Sequence, residues 1–330
     1  MGILGFIFNL ITTFRNYLYD KYILRINRVK DLRVVCVGNI TVGGTGKTPA
    51  VQYFAEKYKS LGYNVAVVSR GYKGKRKKDP FLVRDNKTIF GTTKEAGDEA
   101  YLHSLKLKIP VIVSRNRFEG CLMAKRVLDA DLVILDDGFQ HRKLWRDKNI
   151  VLIDATNPFG YEKLLPDGTL RESVKGLNRA DEIIITKSDL VDDLALANIK
   201  EKLTVYNKPI SMATHGPTKL YGYNGKDMKL DKVKDKNVLI FSALANPHQF
   251  EETIKKLNPK EISTIEFSDH HEFNKRDIDK IIAKSNDINA DMVICTEKDF
   301  VKLKDIYEIP KLHVLAIEFN ILEDNICWKF

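Results

Sequence analysis

Between residues 32 and 186 the chain alternates short apolar runs with amphipathic stretches. The runs 32–37, 63–69, 111–113, 132–135, 150–153 and 182–186 are almost continuously apolar. That pattern fits strands covered on both faces, since a strand with one wet face would alternate. After the first run, Val51, Phe54, Ala55 and Tyr58 recur at helix spacing, and further helical patterns lie around 99–105 and 119–128. Strands separated by helices need crossover connections, hence a parallel sheet. Residues 31–203 are therefore expected to form a doubly wound parallel sheet in an α/β domain. A smaller C-terminal α/β domain is expected over 204–330, with strands at 238–241, 261–267, 291–295 and 313–319 and helices at 247–257 and 275–285. Two β-prone stretches, 204–216 and 314–320, are expected to pair as a connector.

The first thirty residues follow neither pattern. Residues 2–14 (GILGFIFNLITTF) are apolar and uncharged, then Arg15, Tyr17, Tyr19, Lys21, Tyr22, Arg25 and Arg28 mix basic and aromatic groups. A bilayer span needs about 20 apolar residues, which this run does not reach. It also lacks the basic start and small-residue cleavage site of a secretory signal. The expectation for 1–30 is an amphipathic helix lying in a membrane interface, its aromatic and basic residues at headgroup level.

Composition adds limits. The 330 residues are 44% hydrophobic and 30% charged, an ordinary folded balance. The formal charge of +10 points to an anionic partner. No zinc spacing or RNA-binding signature accompanies that charge, so a nucleic-acid partner is not expected. Cys36, Cys121, Cys295 and Cys327 are far apart, as reduced cytosolic thiols would be.

The densest chemical signal follows the first strand. Thr41-Val42-Gly43-Gly44-Thr45-Gly46-Lys47-Thr48 joins a strand to a helix, the context of a phosphate-binding loop. Glycines let main-chain N–H groups turn toward phosphate oxygens, and the helix N-terminus adds partial positive charge. Lys47 is expected on the β- and γ-phosphates and Thr48 on Mg²⁺, with Thr41 standing where the strict motif has its first glycine. The fold expected for 31–203 is thus of the P-loop NTPase kind. The run 132–135 ends in Asp136-Asp137, a strand-end carboxylate pair suited to the metal.

Other clusters carry two readings each. Asp98, opening a helix after Gly97, suits either an N-cap or the base that takes a proton from an attacking hydroxyl. Asp269-His270-His271 offers surface imidazoles, or one that orients a catalytic carboxylate; on a strand the two rings would face opposite ways. Arg117 and Arg171 sit at loop junctions where a guanidinium can meet phosphate. The run 73–78 reads as a solvated basic loop. Thr186-Lys187-Ser188-Asp189 echoes a guanine-reading loop but has Thr where GTPases have Asn, and no role is assigned to Thr296-Glu297-Lys298-Asp299.

Taken together these strings resemble the tetraacyldisaccharide 4′-kinase family. The resemblance rests on Gly38-Asn39-Ile40 running into the loop through Pro49, Ser69-Arg70-Gly71-Tyr72, Gly97-Asp98-Glu99, Asp136-Asp137-Gly138-Phe139-Gln140-His141, Leu165-Pro166-x-Gly168-x-Leu170-Arg171-Glu172, Asp269-His270-His271 and Thr296-Glu297-Lys298-Asp299. It implies transfer of the γ-phosphate of ATP to the 4′-hydroxyl of a tetraacylated glucosamine disaccharide 1-phosphate, giving the bis-phosphorylated lipid A precursor. It also implies work at the cytoplasmic face of the bacterial inner membrane with no obligate protein partner. By similarity Asp98 is the base, paired with His270; Lys47, Arg117 and Arg171 meet phosphate or substrate; Thr48, Asp136 and Asp137 surround Mg²⁺. The alternative is a P-loop GTPase or ATPase switch. Against it stand Thr186, and Val42 where such ATPases carry a second lysine.

Overall fold

The computed structural model describes residues 2–322 and 326–330. Met1 and residues 323–325, within the segments expected at 1–30 and 204–330, lie outside the described residues. The chain forms two compact units, Met1–His215 with Phe319–Phe330, and Gly216–Glu318.

The first unit contains helix α1 (Ile3–Asp20), β1 (Arg33–Asn39), α2 (Lys47–Ser60), β2 (Val65–Ser69), β3 (Phe81–Arg84), α3 (Thr93–Ala96) and α4 (Asp98–Lys106). It continues with β4 (Val111–Val113), α5 (Arg117–Leu128), β5 (Leu132–Asp136), β6 (Lys148–Asp154), β7 (Glu182–Thr186), α6 (Asp193–Thr204) and the start of β8 (Ile210–Tyr221). The strand order is β8-β7-β6-β1-β5-β2-β4-β3. Neighbours pair in parallel except the half-buried edge strand β3, which runs antiparallel to β4. The phosphate-loop strand β1 is therefore central, with β5 beside it in a register that sets Val37 opposite Asp136. That register delivers the strand-end carboxylates to the same sheet edge as the glycine loop, where open α/β sheets bind ligands.

The second unit holds β9 (Asp227–Met228), β10 (Asn237–Ser242), α7 (Pro247–Lys255), β11 (Glu261–Glu266), α8 (Lys275–Asp287), β12 (Met292–Thr296), α9 (Glu297–Leu303) and most of β13 (Leu312–Ile321). Its order is β11-β10-β12-β13, all parallel. Alternate residues of β10 feed two cores: Leu239 and Phe241 pack with Ile278 and Ile281 of α8, Val238 and Ile240 with Phe250 and Ile254 of α7. This is a doubly wound arrangement in miniature. Thr296 caps α9 by accepting from the Asp299 amide, and its hydroxyl bonds the fully buried Asp299 carboxylate (2.7 Å), so this cluster organises a strand-to-helix junction.

Several expectations shift. The boundary expected at 203/204 falls instead at His215/Gly216, and Phe319–Phe330 returns to the first unit. The reason is that β8 and β13 each run through both units, so no break in hydrophobicity marks the passage. Within the first unit, Leu322, just past the second of these stretches, donates its amide to Met212 O (2.9 Å). Asp269-His270-His271 lies in a turn beyond β11, His270 in a left-handed conformation (φ 58°), so strand alternation does not govern the two rings. In the basic run, the side chain of Arg76 is buried: its guanidinium donates to the carbonyls of Arg70 and Gly71 and pairs with Asp79.

Phe319, Trp328 and Phe330 pack on α2. Phe319 lies 6.3 Å from the Phe54 ring and 5.2 Å from His215, and Trp328 lies 5.6 Å from Phe54 and 5.5 Å from Tyr58.

Helix α1 turns its apolar side outward. Its seated stripe is Gly5, Phe8, Thr12, Asn16 and Tyr19, at helix spacing, while Ile3, Leu4, Phe6, Ile7, Leu10, Ile11 and Phe14 are exposed. The seat is polar: Asn16 Nδ2 donates to Glu172 (2.9 Å), and Arg142 bonds Asn16 O (2.8 Å) and Asp20 (2.7 Å). Among the described residues no helix is long and apolar enough to cross a membrane.

Candidate active site

The loop between β1 and α2 is shaped by two glycines with positive φ, Gly43 (113°) and Gly46 (81°), the latter serving as N-cap of α2. At Gly46 a Cβ would collide with the His215 ring, so the backbone and the neighbour both require glycine. The loop is held from several sides. Val42 N donates to Thr169 O and Arg171 N to Ile40 O, both at 2.7 Å, which lays residues 169–171 antiparallel to its first residues. Asn39 Nδ2 donates to Thr45 Oγ1 (2.9 Å), and the Thr186 hydroxyl donates to Thr45 O (3.1 Å). Lys47 reaches back to Asn39 Oδ1 (3.4 Å), while Thr48 is buried in the first turn of α2.

Charge converges at this edge. Arg171 Nη1 contacts both Asp137 oxygens, at 2.7 and 2.8 Å. Burial alone would raise the Asp137 pKa, but Lys47 and Arg171 outweigh it and hold the carboxyl below its usual value. Burial pushes the Lys47 ammonium down, opposed chiefly by Asp137 and more weakly by Glu99 and Asp136. Asp136 is almost fully buried; Ser69 Oγ donates to its Oδ2 (3.0 Å), and His103 Nε2 lies 3.5 Å from the same oxygen. Arg117 is buried too: desolvation and Arg70 press on its guanidinium, and Asp137 and Asp136 stabilise it.

Asp98 opens α4 but is not its cap. Gly97 holds that position at φ 85°, and a Cβ there would meet Tyr72 O at 2.3 Å. This close approach locks Gly97-Asp98-Glu99 against Gly71-Tyr72. Asp98 is buried, with Oδ1 accepting from Glu99 N (3.0 Å). A carboxylate in the first turn of a helix is favoured as the anion.

One residue ties these parts together. Glu172 is fully buried and accepts from Arg179 Nη2 (2.9 and 2.7 Å), Gln140 Nε2 (3.0 Å) and Asn16 Nδ2 (2.9 Å). Gln140 also donates to Asn39 O (2.8 Å), so a polar path runs from α1 to the phosphate loop.

The family described as LpxK, tetraacyldisaccharide-1-P 4′-kinase, matches residues 1–329. The chain belongs to the tetraacyldisaccharide-1-P 4′-kinase family. A tetraacyldisaccharide 4′-kinase of Halothermothrix orenii is 37% identical over 344 residues, covering 97% of this chain and 88% of that protein. One from Elusimicrobium minutum is 36% identical over 300 residues, covering 88% and 79%. The crystal structure of LpxK from Aquifex aeolicus in complex with ATP superposes with a TM-score of 0.76 at 31% identity, covering 96% of this chain and 93% of that one. This 4′-kinase fold is thus of the P-loop kind, and the switch-protein alternative is not favoured.

Within this 4′-kinase, the first unit gathers Lys47, Asp136, Asp137, Arg171 and Arg117 through the contacts and mutual fields just described, and Thr48 follows Lys47 in the first turn of α2. Asp98 lies in the same unit and His270 in the other. His270 Nε2 is 3.9 Å from Asp269 Oδ1, whereas His271 stacks on Phe267 and bonds Asp277 (2.8 Å), a structural task. Sequence reasoning missed Asn39, Ser69, His103 and His215 as supports, and Glu172 as a hub. Ser69 and Glu172 lay inside quoted strings; His103 and His215 carry no local signal, because only tertiary packing brings them to the site. In the Thr186-Lys187 segment, Thr186 holds the loop and Lys187 pairs with Asp154 (2.5 Å).

Proposed function

We propose that this protein transfers the γ-phosphate of ATP to the 4′-hydroxyl of a tetraacylated glucosamine disaccharide 1-phosphate. The observation carrying this is the meeting of the loop lysine, Lys47, with Asp137 and its Arg171 partner at the ends of adjacent strands β1 and β5, in a chain matching the 4′-kinase family end to end. Asp98 takes the proton of the hydroxyl. The oxygen then bonds to the γ-phosphorus, the bridge to the β-phosphate breaks, and ADP leaves. Lys47, Arg117 and Arg171 stabilise the charge spread over the transferring phosphoryl group.

The Thr48 hydroxyl and the Asp136 and Asp137 carboxylates suit magnesium, which takes oxygen ligands. When bound with the nucleotide, the ion neutralises charge on its β- and γ-phosphates. The exposed apolar stripe of α1 supports a seat at the cytoplasmic surface of the inner membrane, where the acylated acceptor is presented. No protein partner is required for this chemistry.

The test is incubation with labelled ATP and the acylated disaccharide 1-phosphate in mixed micelles. A bis-phosphorylated lipid is expected. Adenine nucleotide binding without label entering the lipid refutes the proposal.

A further inference from the structure

Helix α4 carries a histidine on its inner face that the catalytic scheme leaves unused. His103 is fully buried, and neither Nδ1 nor Nε2 has a hydrogen-bond partner among the described residues. An apolar side chain of similar size would carry no such penalty, and a buried polar group left unpaired in a native chain calls for a functional explanation.

The ring is aimed at one atom. Nε2 stands 3.5 Å from Asp136 Oδ2, a few tenths of an ångström beyond the range of about 2.7–3.2 Å for an N–H···O bond. Ser69, the last residue of β2, donates its hydroxyl to the same oxygen at 3.0 Å. Both neighbours therefore address Oδ2 and leave Oδ1 to other partners. Asp137 is disposed differently, since both of its oxygens contact Arg171 Nη1. The backbone that presents His103 is held at both ends of α4. Gly97 lies against Tyr72 at the start, and Arg84 Nη1 donates to Ser104 O (3.1 Å) near the finish. A small rotation of the imidazole closes the remaining gap without moving the helix. An imidazole beside a carboxylate oxygen adopts the tautomer that places its N–H toward that oxygen.

We propose that His103 is a positioning residue that donates from Nε2 to the Asp136 carboxylate and so orients it for the magnesium ion accompanying the nucleotide. This rests on the metal role given to Asp136 above. Carboxylates that serve a metal are themselves held by a surrounding layer of donors, and losing one such donor weakens metal affinity by about tenfold to a hundredfold. His103 and Ser69 form that layer here, one from α4 and one from β2, so the carboxylate at the end of β5 is fixed from two elements.

The experiment titrates Mn²⁺ into the full chain in the presence of ADP and reads the free ion by electron paramagnetic resonance. His103→Leu is expected to weaken Mn²⁺ binding by about tenfold to a hundredfold, with ADP affinity in EDTA unchanged. Its urea midpoint should hold or rise, because the variant discards an unpaired buried polar group. His103→Gln, whose amide can donate to Oδ2, should recover part of the Mn²⁺ affinity. In turnover, KM for Mg²⁺ should rise more than kcat falls. A leucine variant that binds Mn²⁺ as tightly as wild type overturns the assignment. So do equal losses in both variants accompanied by a lower urea midpoint, the mark of a packing role alone. Asp136→Asn with undiminished Mn²⁺ affinity removes the metal role of Asp136, and the inference falls with it. A wild type that holds Mn²⁺ with ADP yet labels no lipid refutes the kinase reading alone, while the Mn²⁺ titrations still decide on His103.

Discussion

Removing the Glu172 carboxylate should loosen the first unit more than any exposed substitution near the site. Glu172→Ala takes away a buried acceptor of bonds from Arg179, Gln140 and Asn16. Breaking a buried ion pair from one side costs about 3–5 kcal/mol. Arg179 keeps 17% of its side chain exposed and sits 4.6 Å over the Phe139 ring, which favours the lower part of that range. Lost neutral bonds from Gln140 and Asn16 add about 1 kcal/mol each at most, since water can replace some of them. The expected loss is therefore about 3–5 kcal/mol, against about 1–3 kcal/mol for Glu172→Gln, which keeps an acceptor oxygen. Urea denaturation followed by tryptophan fluorescence isolates this unit, because the two tryptophans, Trp145 and Trp328, both belong to it. At a slope of about 2–3 kcal/mol per molar, the midpoint should fall by about 1–2.5 M. A fall under about 0.3 M at unchanged slope would refute the hub assignment. Asn16→Ala should cost about 1 kcal/mol alone and almost nothing on top of Glu172→Ala, since the two share one bond.

Asp98→Asn should lower kcat by about a hundredfold to ten-thousandfold with ATP affinity retained, the range for a lost general base; steady-state turnover within about fivefold of wild type removes Asp98 from that role. His215 sets a pH dependence: burial lowers its pKa to about 4. From about pH 6.5 downward the unfolded chain takes a proton the folded one refuses, so stability is full above that value and declines toward pH 4, by about 2–3 kcal/mol at pH 4.5. His215→Gln should make that part of the urea-midpoint profile shallower, His141 supplying a like decline, and an unchanged slope excludes it. Leu10→Glu with Phe14→Glu should weaken vesicle cosedimentation about a hundredfold, from about 1.5 kcal/mol per lost apolar side chain, without moving the urea midpoint; undiminished pelleting rules out α1 as the anchor.

The central strands were legible because strands covered on both faces, such as β1 and β7, are written as unbroken apolar runs. The glycine loop and Asp136-Asp137 were legible for a related reason, since each sits where such a run stops. The short edge strand β3 was not, because half-buried residues give neither a run nor a clear alternation. Helix α6 was also missed: it buries only Ile199 and Leu203, too few positions to mark a face. The capping reading of Asp98 failed because Gly97 is demanded by its approach to Tyr72, a contact between segments far apart in sequence. Glu172 illustrates the same limit: a glutamate in a loop string gives no hint that it will be buried under three donors.

The discontinuous make-up of the phosphate-loop unit has a consequence for biogenesis. Helix α2, which presents Lys47 and Thr48, is covered by Phe319 and Trp328, and these follow an intervening body of about a hundred residues. At ribosomal speeds of about 5–20 residues per second, that stretch delays their arrival by on the order of 5–20 s. Throughout that interval a nascent chain holds an unfinished nucleotide cradle with aromatic surface bare, while the later-made body can already have collapsed on its own core. Premature termination between residues 216 and 318 would leave a polypeptide that contains every catalytic string of the larger unit and still lacks its closing layer.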